Sequence, residues 1–180
     1  MASAVVIEPL DQAQHDRAAF ASGVPQVDRF LKKTANRLMK GGTARVFVMV
    51  DPERPEEILG FYSMNAHSVQ CGDLPKRYRR FALADGSLPA AFIGMIGVAE
   101  HVQGQGIGSR LLVDALAGAY QASHRVGTAM VLLDILYCGN PKAVARRQRL
   151  YAGFGFQSLP SQPLRMFLPM DTIAQLLIQE

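Results

Sequence analysis

Apolar residues recur at a helical spacing in some parts of the chain and form short continuous runs in others. The helical spacing predicts five helices: Gln12–Phe20, Gln26–Lys40, Ile107–Gln121, Pro141–Ala152 and Asp171–Leu177. Short apolar runs predict six strands: Ala4–Leu10, Ala44–Val50, Ile58–Val69, Ala91–Val98, Ala129–Leu136 and Leu164–Leu168. Asn140 is the predicted N-cap of the fourth helix, and Asp11 and Asp171 are the predicted caps of the first and last.

The order of these elements predicts one domain of the α/β (α+β) class. Strands Ala44–Val50 and Ile58–Val69 flank a polar turn and should form an antiparallel hairpin. A helix joins Ala91–Val98 to Ala129–Leu136, so these strands should be parallel, with a right-handed crossover. The chain has no Gly/Ser linker and no repeat, and 180 residues suit a single domain over residues 1–180.

Composition excludes several broad classes of protein. With 49% hydrophobic and 19% charged residues, the chain is neither disordered nor fibrous. No apolar run approaches the roughly 18–20 residues that span a bilayer, and the N-terminus lacks the basic segment of a secretory signal, so we expect a cytoplasmic protein. Cys71 and Cys138 are far apart and have no metal-ligand spacing, which argues against a disulfide framework or a metal site.

Positive charge is the compositional feature that points to a ligand. Nineteen basic residues, fourteen of them arginine, stand against fifteen acidic ones and give a net charge of +4. Arginine binds phosphate through two N–H groups at once, which favours an anionic ligand such as a nucleotide cofactor or RNA. A genome that prefers arginine to lysine would produce the same composition, so charge alone decides nothing.

A glycine-rich segment lies between a predicted strand and a predicted helix. Its residues are Gln103, Gly104, Gln105, Gly106, Ile107, Gly108 and Ser109. Glycine lets the backbone approach a ligand closely, and a helix start offers free N–H groups, so the segment predicts a phosphate or diphosphate site. It lacks the lysine of a Walker A loop and the spacing of a dinucleotide-binding loop. Alone, it is equally consistent with a turn that packs a helix on a strand.

Three elements together make the chain resemble the GCN5-related N-acetyltransferases, the GNAT family. The acetyl-coenzyme A loop of that family, Q/R-x-x-G-x-G/A, matches Gln103, Gly106 and Gly108. The family's Y-x-x-x-G-F element matches the chain from Tyr151, and its Asn-x-x-Ala helix start matches the chain from Asn140. The resemblance implies the GNAT fold, with a mixed, splayed central sheet flanked by helices, and acetyl-coenzyme A as acetyl donor.

Further residues resemble one branch of that family, the toxins of bacterial toxin–antitoxin systems. The matching segments are Phe20–Leu31, Gly60–Ser63 and Gln162–Leu164. This resemblance implies acetylation of the α-amino group of aminoacyl-tRNA, a ribbon-helix-helix antitoxin as partner, a possible homodimer and a bacterial cytoplasmic location. The chain departs from the branch at Met95, where relatives often have Arg, and between Asn140 and Tyr151, where it is longer by about one helical turn.

The resemblance also assigns roles to residues. Acetyl-coenzyme A would contact Ile96, Gly97, Val98, the segment Gln103–Ser109 and Asn140. A backbone N–H near Ile96 or Gly97 would stabilise the oxyanion, and Tyr151 would protonate the departing thiolate. Gly97 could instead mark a bulge without a role, and Tyr151 could be a core aromatic. Two basic runs are candidates for tRNA contacts, or else solvated faces: Lys76, Arg77, Arg79 and Arg80, and Arg146, Arg147 and Arg149.

No general base stands out. His67, His101, Glu100 and Asp134 are candidates, and Asp134 is equally well explained as a structural hydrogen-bonding group. An α-amino group has a pKa near 7.7–8.0 and is partly neutral at pH 7, so a site without a base suits an α-amine better than a lysine. Three functions stay open: a tRNA-acetylating toxin, an acetyltransferase of a small amine or protein N-terminus with no toxin role, and a non-enzymatic coenzyme A or RNA-binding module.

Overall fold

The computed structural model describes residues 4–179, which form one seven-stranded sheet and five α-helices. The strands are β1 (Val6–Pro9), β2 (Arg45–Asp51), β3 (Arg54–Gln70), β4 (Ser87–Val98), β5 (Met130–Asp134), β6 (Gln157–Leu159) and β7 (Gln162–Pro169). The helices are α1 (Pro25–Arg29), α2 (Ala35–Lys40), α3 (Ile107–Ser123), α4 (Pro141–Gly153) and α5 (Met170–Ile178). The sheet order is β1-β2-β3-β4-β5-β7-β6, which confirms the predicted α/β class.

The chain folds into two compact units. The first contains the described residues 4–65 and 93–115, and the second contains 66–92 and 116–179. Strands β3 and β4 and helix α3 each contribute residues to both. The predicted hairpin is confirmed, because β2 and β3 are antiparallel. Strands β4 and β5 are neighbours joined through α3, the kind of connection that a parallel pair requires.

In the first unit, the predicted helix over Gln26–Lys40 is present with an irregular middle. A π-helical turn over Phe30–Thr34 joins α1 to α2, and the N–H of Ala35 bonds to the carbonyl of Phe30. Val27, Leu31 and Ala35 are buried, with Leu31 fully inaccessible to solvent, while Phe30, Leu38 and Met39 are half-buried. Buried side chains therefore continue from α1 through the π turn into α2.

The helix predicted over Gln12–Phe20 is wrong. Asp11 does not cap a helix there; its carboxylate accepts the N–H of Ala13 at 2.8 Å, and that of Asp16 accepts the N–H of Ala18 at 3.0 Å. Such local side-chain bonds give the backbone an alternative to helical bonding. Buried His15 fixes the turns further, because one ring nitrogen accepts the N–H of Asp11 at 2.9 Å.

The second unit has its own apolar core. Its buried members are Val69, Cys71, Leu74, Leu88, Ala90, Met130, Leu132, Leu159 and Phe167. Strand β7 pairs with β5 and with β6, in both cases antiparallel. The predicted N-cap Asn140 is confirmed, since its side-chain oxygen accepts the N–H groups of Lys142 and Ala143. The N-cap of the last helix is Pro169, two residues before the predicted cap Asp171.

Candidate functional site

The glycine-rich segment forms an exposed loop that leads into α3 in the first unit. Gly104 and Gly106 have φ values of +79° and +80°, a backbone conformation that side chains with a Cβ rarely adopt. A Cβ at either position would meet no atom within 4 Å. The loop therefore leaves open space beside its backbone at the start of a 17-residue helix, where N–H groups lack partners within the helix.

The side chain of Gln103 holds this loop on the rest of the first unit. Its amide nitrogen donates to the carbonyl of Ser22 at 2.8 Å and to the carbonyl of Val98 at 3.0 Å. Ser22 is itself fixed, because its hydroxyl donates to Asp28 at 2.6 Å. Gln103 is thus a positioning residue that ties the loop to the end of β4 and to the segment before α1.

Two glycines allow close packing beneath the loop. A Cβ on Gly60 would lie 2.8 Å from a methyl of Leu111 and 3.1 Å from a methyl of Ile107, so glycine there lets the start of α3 sit close to β3. Buried Ile107 therefore contributes packing to the core. A Cβ on Gly97 would lie 2.5 Å from Val27 and 2.7 Å from Phe61, so this glycine is required by core side chains.

Sequence reasoning missed a buried polar contact that anchors α3. The hydroxyl of Tyr62, on β3, donates to the carboxylate of Asp114, on α3, at 2.7 Å. Burial and this hydrogen bond raise the pKa of Tyr62. The two residues are far apart in the sequence, and no local pattern connects them. The contact fixes the helix whose first turn follows the glycine loop.

In the second unit, Tyr151 lies near the end of α4 with its side chain partly buried. Its ring packs edge-on against Phe156 with centroids 6.0 Å apart. Burial raises the pKa of the Tyr151 phenol, and the positive charge of Arg147 opposes that rise. Arg147 lies four residues earlier on α4, one helical turn away. A tyrosine in this setting stays protonated at neutral pH and can act as a proton donor.

Arg147 points inward, unlike the other arginines of its run. Its guanidinium donates to the carbonyl of Leu136 at 3.2 Å and to the sulfur of Cys138 at 3.4 Å. The hydrogen bond from Arg147 lowers the pKa of the Cys138 thiol, and the two contacts tie α4 to the segment that follows β5. Arg146 and Arg149 are exposed. The three arginines therefore do not form one surface, and only two are placed to meet a large ligand.

The other basic run lies on a 3₁₀ helix over Lys76–Phe81 in the same unit. Its four charged residues are exposed, and the ring of Tyr78 packs against buried Phe167 at 5.9 Å. Strand alternation places Phe167 on one face of β7 and Met166 on the other. From the sequence, each basic run is a candidate for tRNA contacts or else a solvated face, and the structure places both runs in the second unit.

Three of the candidate bases are engaged in ion pairs or close packing. Asp134 forms a bidentate pair with Arg165 on the neighbouring strand, with N–O distances of 2.7 and 2.8 Å. His101 pairs with Glu57 at 3.0 Å. The carboxylate of Glu100 lies against Gly23, where a Cβ would come within 2.8 Å of it. These arrangements favour the structural reading of Asp134.

The described part of the chain contains neither a metal-binding cluster nor a membrane-spanning helix. Within residues 4–179, no three His, Cys, Asp or Glu side chains are grouped so that they could hold a metal ion. Among the helices of the same residues, none is long and apolar enough to cross a membrane. Both cysteines are free thiols.

Comparison with known proteins gives consistent relatives. Residues 42–158 match the family model of the acetyltransferase (GNAT) domain. The probable toxin TacT of Sinorhizobium fredii is 48% identical over 172 residues, which cover 96% of this chain and 94% of that protein. A tRNA-acetylating toxin of Mycobacterium tuberculosis is 32% identical over 155 residues, or 86% of each chain. A crystal structure of a tyrosine-to-phenylalanine mutant of KacT superposes with a TM-score of 0.82 at 27% identity, covering 96% of this chain and 98% of that one.

Proposed function

The chain belongs to the GNAT family of acetyltransferases, and from that premise we propose that it transfers an acetyl group from acetyl-coenzyme A to the α-amino group of an aminoacyl-tRNA. The observation that carries the proposal is the likeness, over 86% of both chains, to a toxin that acetylates tRNA. The exposed cations of the second unit suit a polyanionic acceptor substrate.

The glycine loop fits the diphosphate of acetyl-coenzyme A. A Cβ at Gly104 or Gly106 would meet no atom within 4 Å, and the first turn of α3 offers unpaired N–H groups and a positive dipole end. Bound there, acetyl-coenzyme A supplies an acetyl group already activated as a thioester. Ile96, Gly97 and Val98 at the end of β4 are the proposed neighbours of its pantetheine arm. Asn140 is also a proposed contact of acetyl-coenzyme A, although its side-chain oxygen already accepts the two N–H groups that it caps at the start of α4.

Tyr151 is the proposed general acid. Because its raised pKa keeps the phenol protonated, it can give a proton to the sulfur when the acetyl group leaves. Backbone N–H groups near Ile96 and Gly97 are the proposed donors to the oxyanion, where loss of one donor costs roughly 3–4 kcal/mol. No side chain is assigned as base, since an α-amino group with a pKa near 7.7–8.0 is partly neutral at pH 7.

The family branch extends the proposal to partners and location. A protein of this kind blocks translation by acetylating charged tRNA, and a ribbon-helix-helix antitoxin holds it inactive. We place it in the bacterial cytoplasm, where charged tRNA is found. The homodimer and the single acetyltransferase domain over residues 1–180 remain predictions.

A labelling experiment tests this function directly. The protein is incubated with radiolabelled acetyl-coenzyme A and total bacterial tRNA, either charged or deacylated, and the ester bond is then hydrolysed with base. We expect labelled N-acetyl amino acids from charged tRNA alone. Label that appears only on small amines or on protein N-termini would instead favour an acetyltransferase without a toxin role.

A further inference from the structure

The segment between β3 and β4 carries an exposed aromatic ring among unpaired cations. Phe81 is 59% exposed, and it is the one phenylalanine among the large apolar side chains that are exposed in residues 4–179. Lys76, Arg77, Arg79 and Arg80 precede it. None of these four forms an ion pair with any carboxylate of the described residues. A solvated ring beside these cations offers a ligand both a stacking face and positive charge.

The carboxylates nearest in sequence are occupied elsewhere. Asp73 accepts a hydrogen bond from the hydroxyl of Ser161 at 3.1 Å. Asp85 accepts the hydroxyl of Ser87 at 2.7 Å, and these bonds to Ser87 hold the pKa of Asp85 below its usual range. Both carboxylates keep their charge, but neither forms an ion pair with the four cations in the described residues, so these cations can pair with an anionic ligand.

The 3₁₀ helix sorts its side chains into rows. Residues three apart lie on the same side of such a helix, so Tyr78 and Phe81 share one row and Arg77 and Arg80 share the next. Each arginine lies over the ring that follows it: the guanidinium carbon is 4.9 Å from the Tyr78 centroid and 4.6 Å from that of Phe81. Stacking on a ring restrains a guanidinium. Arg77 also donates to the hydroxyl of Tyr78 at 3.0 Å, whereas Arg80 makes no side-chain hydrogen bond within the described residues and keeps its N–H groups free to bind phosphate.

The segment is also held in place before any ligand binds. The Tyr78 ring packs edge-on against Phe167, which is almost fully buried. The N–H of Cys71 donates to the carbonyl of Gly86 at 2.9 Å and closes the base of the loop. A preformed surface loses less conformational entropy on binding than a mobile one.

We propose that Phe81 and Arg80 form a nucleotide-binding element for the RNA substrate, in which the Phe81 ring stacks on an unpaired base and Arg80 binds the adjacent phosphate. This inference rests on the proposed function and adds a stacking contact to it. Unpaired bases of RNA are bound in this way by aromatic rings and by arginine. Stacking depends little on base identity, so the element contributes affinity for RNA ends or loops rather than recognition of one sequence.

Substitutions separate the ring from the charge. Phe81→Leu keeps an apolar side chain but removes the π face, and Arg80→Gln removes one cation. Arg125→Gln and Val126→Ala are matched controls, since these exposed neighbours lie in the same unit outside the segment. Binding of total bacterial aminoacyl-tRNA is measured by fluorescence anisotropy at several salt concentrations, with thermal unfolding as a check on folding.

We expect Phe81→Leu to weaken tRNA binding by about 5- to 100-fold with an unchanged salt slope. Arg80→Gln should lower the slope by about one, and both controls should bind as the original chain does. Irradiation at about 254 nm should cross-link RNA to the peptide that contains Phe81.

Wild-type affinity in Phe81→Leu, or cross-links only at other peptides, would overturn the stacking proposal while leaving the proposed function intact. A change in sedimentation of Phe81→Leu without a change in tRNA affinity would make the ring a protein interface and also overturn it. Failure of the unaltered chain to bind tRNA would contradict the proposed function itself.

Discussion

Replacement of Gly106 by alanine tests whether the conformation of the loop before α3 matters for the acetyl donor. At a φ of +80° an alanine costs about 1–2 kcal/mol, because its Cβ crowds its own backbone. No other atom lies within 4 Å of that Cβ, so strain is the whole predicted effect. The strain lowers stability if the free loop keeps its conformation, and lowers affinity for acetyl-coenzyme A if the free loop relaxes. The two losses should therefore sum to about 1–2 kcal/mol.

Gly108→Ala is the matched control, because Gly108 is not among the residues with positive φ and its Cβ would lie 3.7 Å from Val98, an ordinary contact. Alanine is favoured over glycine inside a helix by up to about 1 kcal/mol, so this variant should be at least as stable. Thermal unfolding and calorimetric titration with acetyl-coenzyme A measure both quantities. The strain energy in Gly106→Ala should appear as a fall in Tm of about 2–8 °C or as a rise in Kd of about 5- to 30-fold, or it should be divided between the two. Equal stability and equal affinity of the two variants would show that the backbone conformation at Gly106 does not require glycine.

Three further substitutions test the structure around the site. Gly97→Ala should cost about 1–3 kcal/mol in urea unfolding, since its Cβ would lie 2.5 Å from Val27, and adding Val27→Ala should restore part of the loss. Tyr62→Phe should cost about 1.5–3 kcal/mol by removing the bond to Asp114. Because the folded-state pKa of Tyr62 is raised, stability should fall as pH rises above about 10, and fall less steeply in Tyr62→Phe. Asp134→Asn should leave the turnover rate unchanged. A fall in turnover of about 100-fold would instead indicate that Asp134 acts as a general base.

Features set by local sequence could be predicted from it. The capping oxygen of Asn140 and the fixed φ of Pro141 act within one turn, so the start of α4 was predicted correctly. The glycine loop was also recognisable, because its conformation depends on Gly104 and Gly106 themselves. Strand β6 was missed because three residues give too short a pattern.

Features set by tertiary packing were beyond the sequence. Nothing in the local sequence distinguishes Arg147 from its exposed neighbours on α4. Only its hydrogen bonds to the carbonyl of Leu136 and the sulfur of Cys138 turn it inward. The sequence around Gly97 does not indicate that Val27 and Phe61 are the residues that exclude a side chain at this position.

The central claim is that this chain acetylates charged tRNA with a proton from Tyr151. Its most direct test is a single-turnover measurement of acetyl transfer to aminoacyl-tRNA by the unaltered chain and by Tyr151→Phe, with folding checked by circular dichroism. We expect N-acetyl aminoacyl-tRNA from the unaltered chain and a rate lower by at least about 100-fold in the variant, with both proteins equally folded. No acetylated product from the unaltered chain, or equal rates for the two proteins, would contradict it.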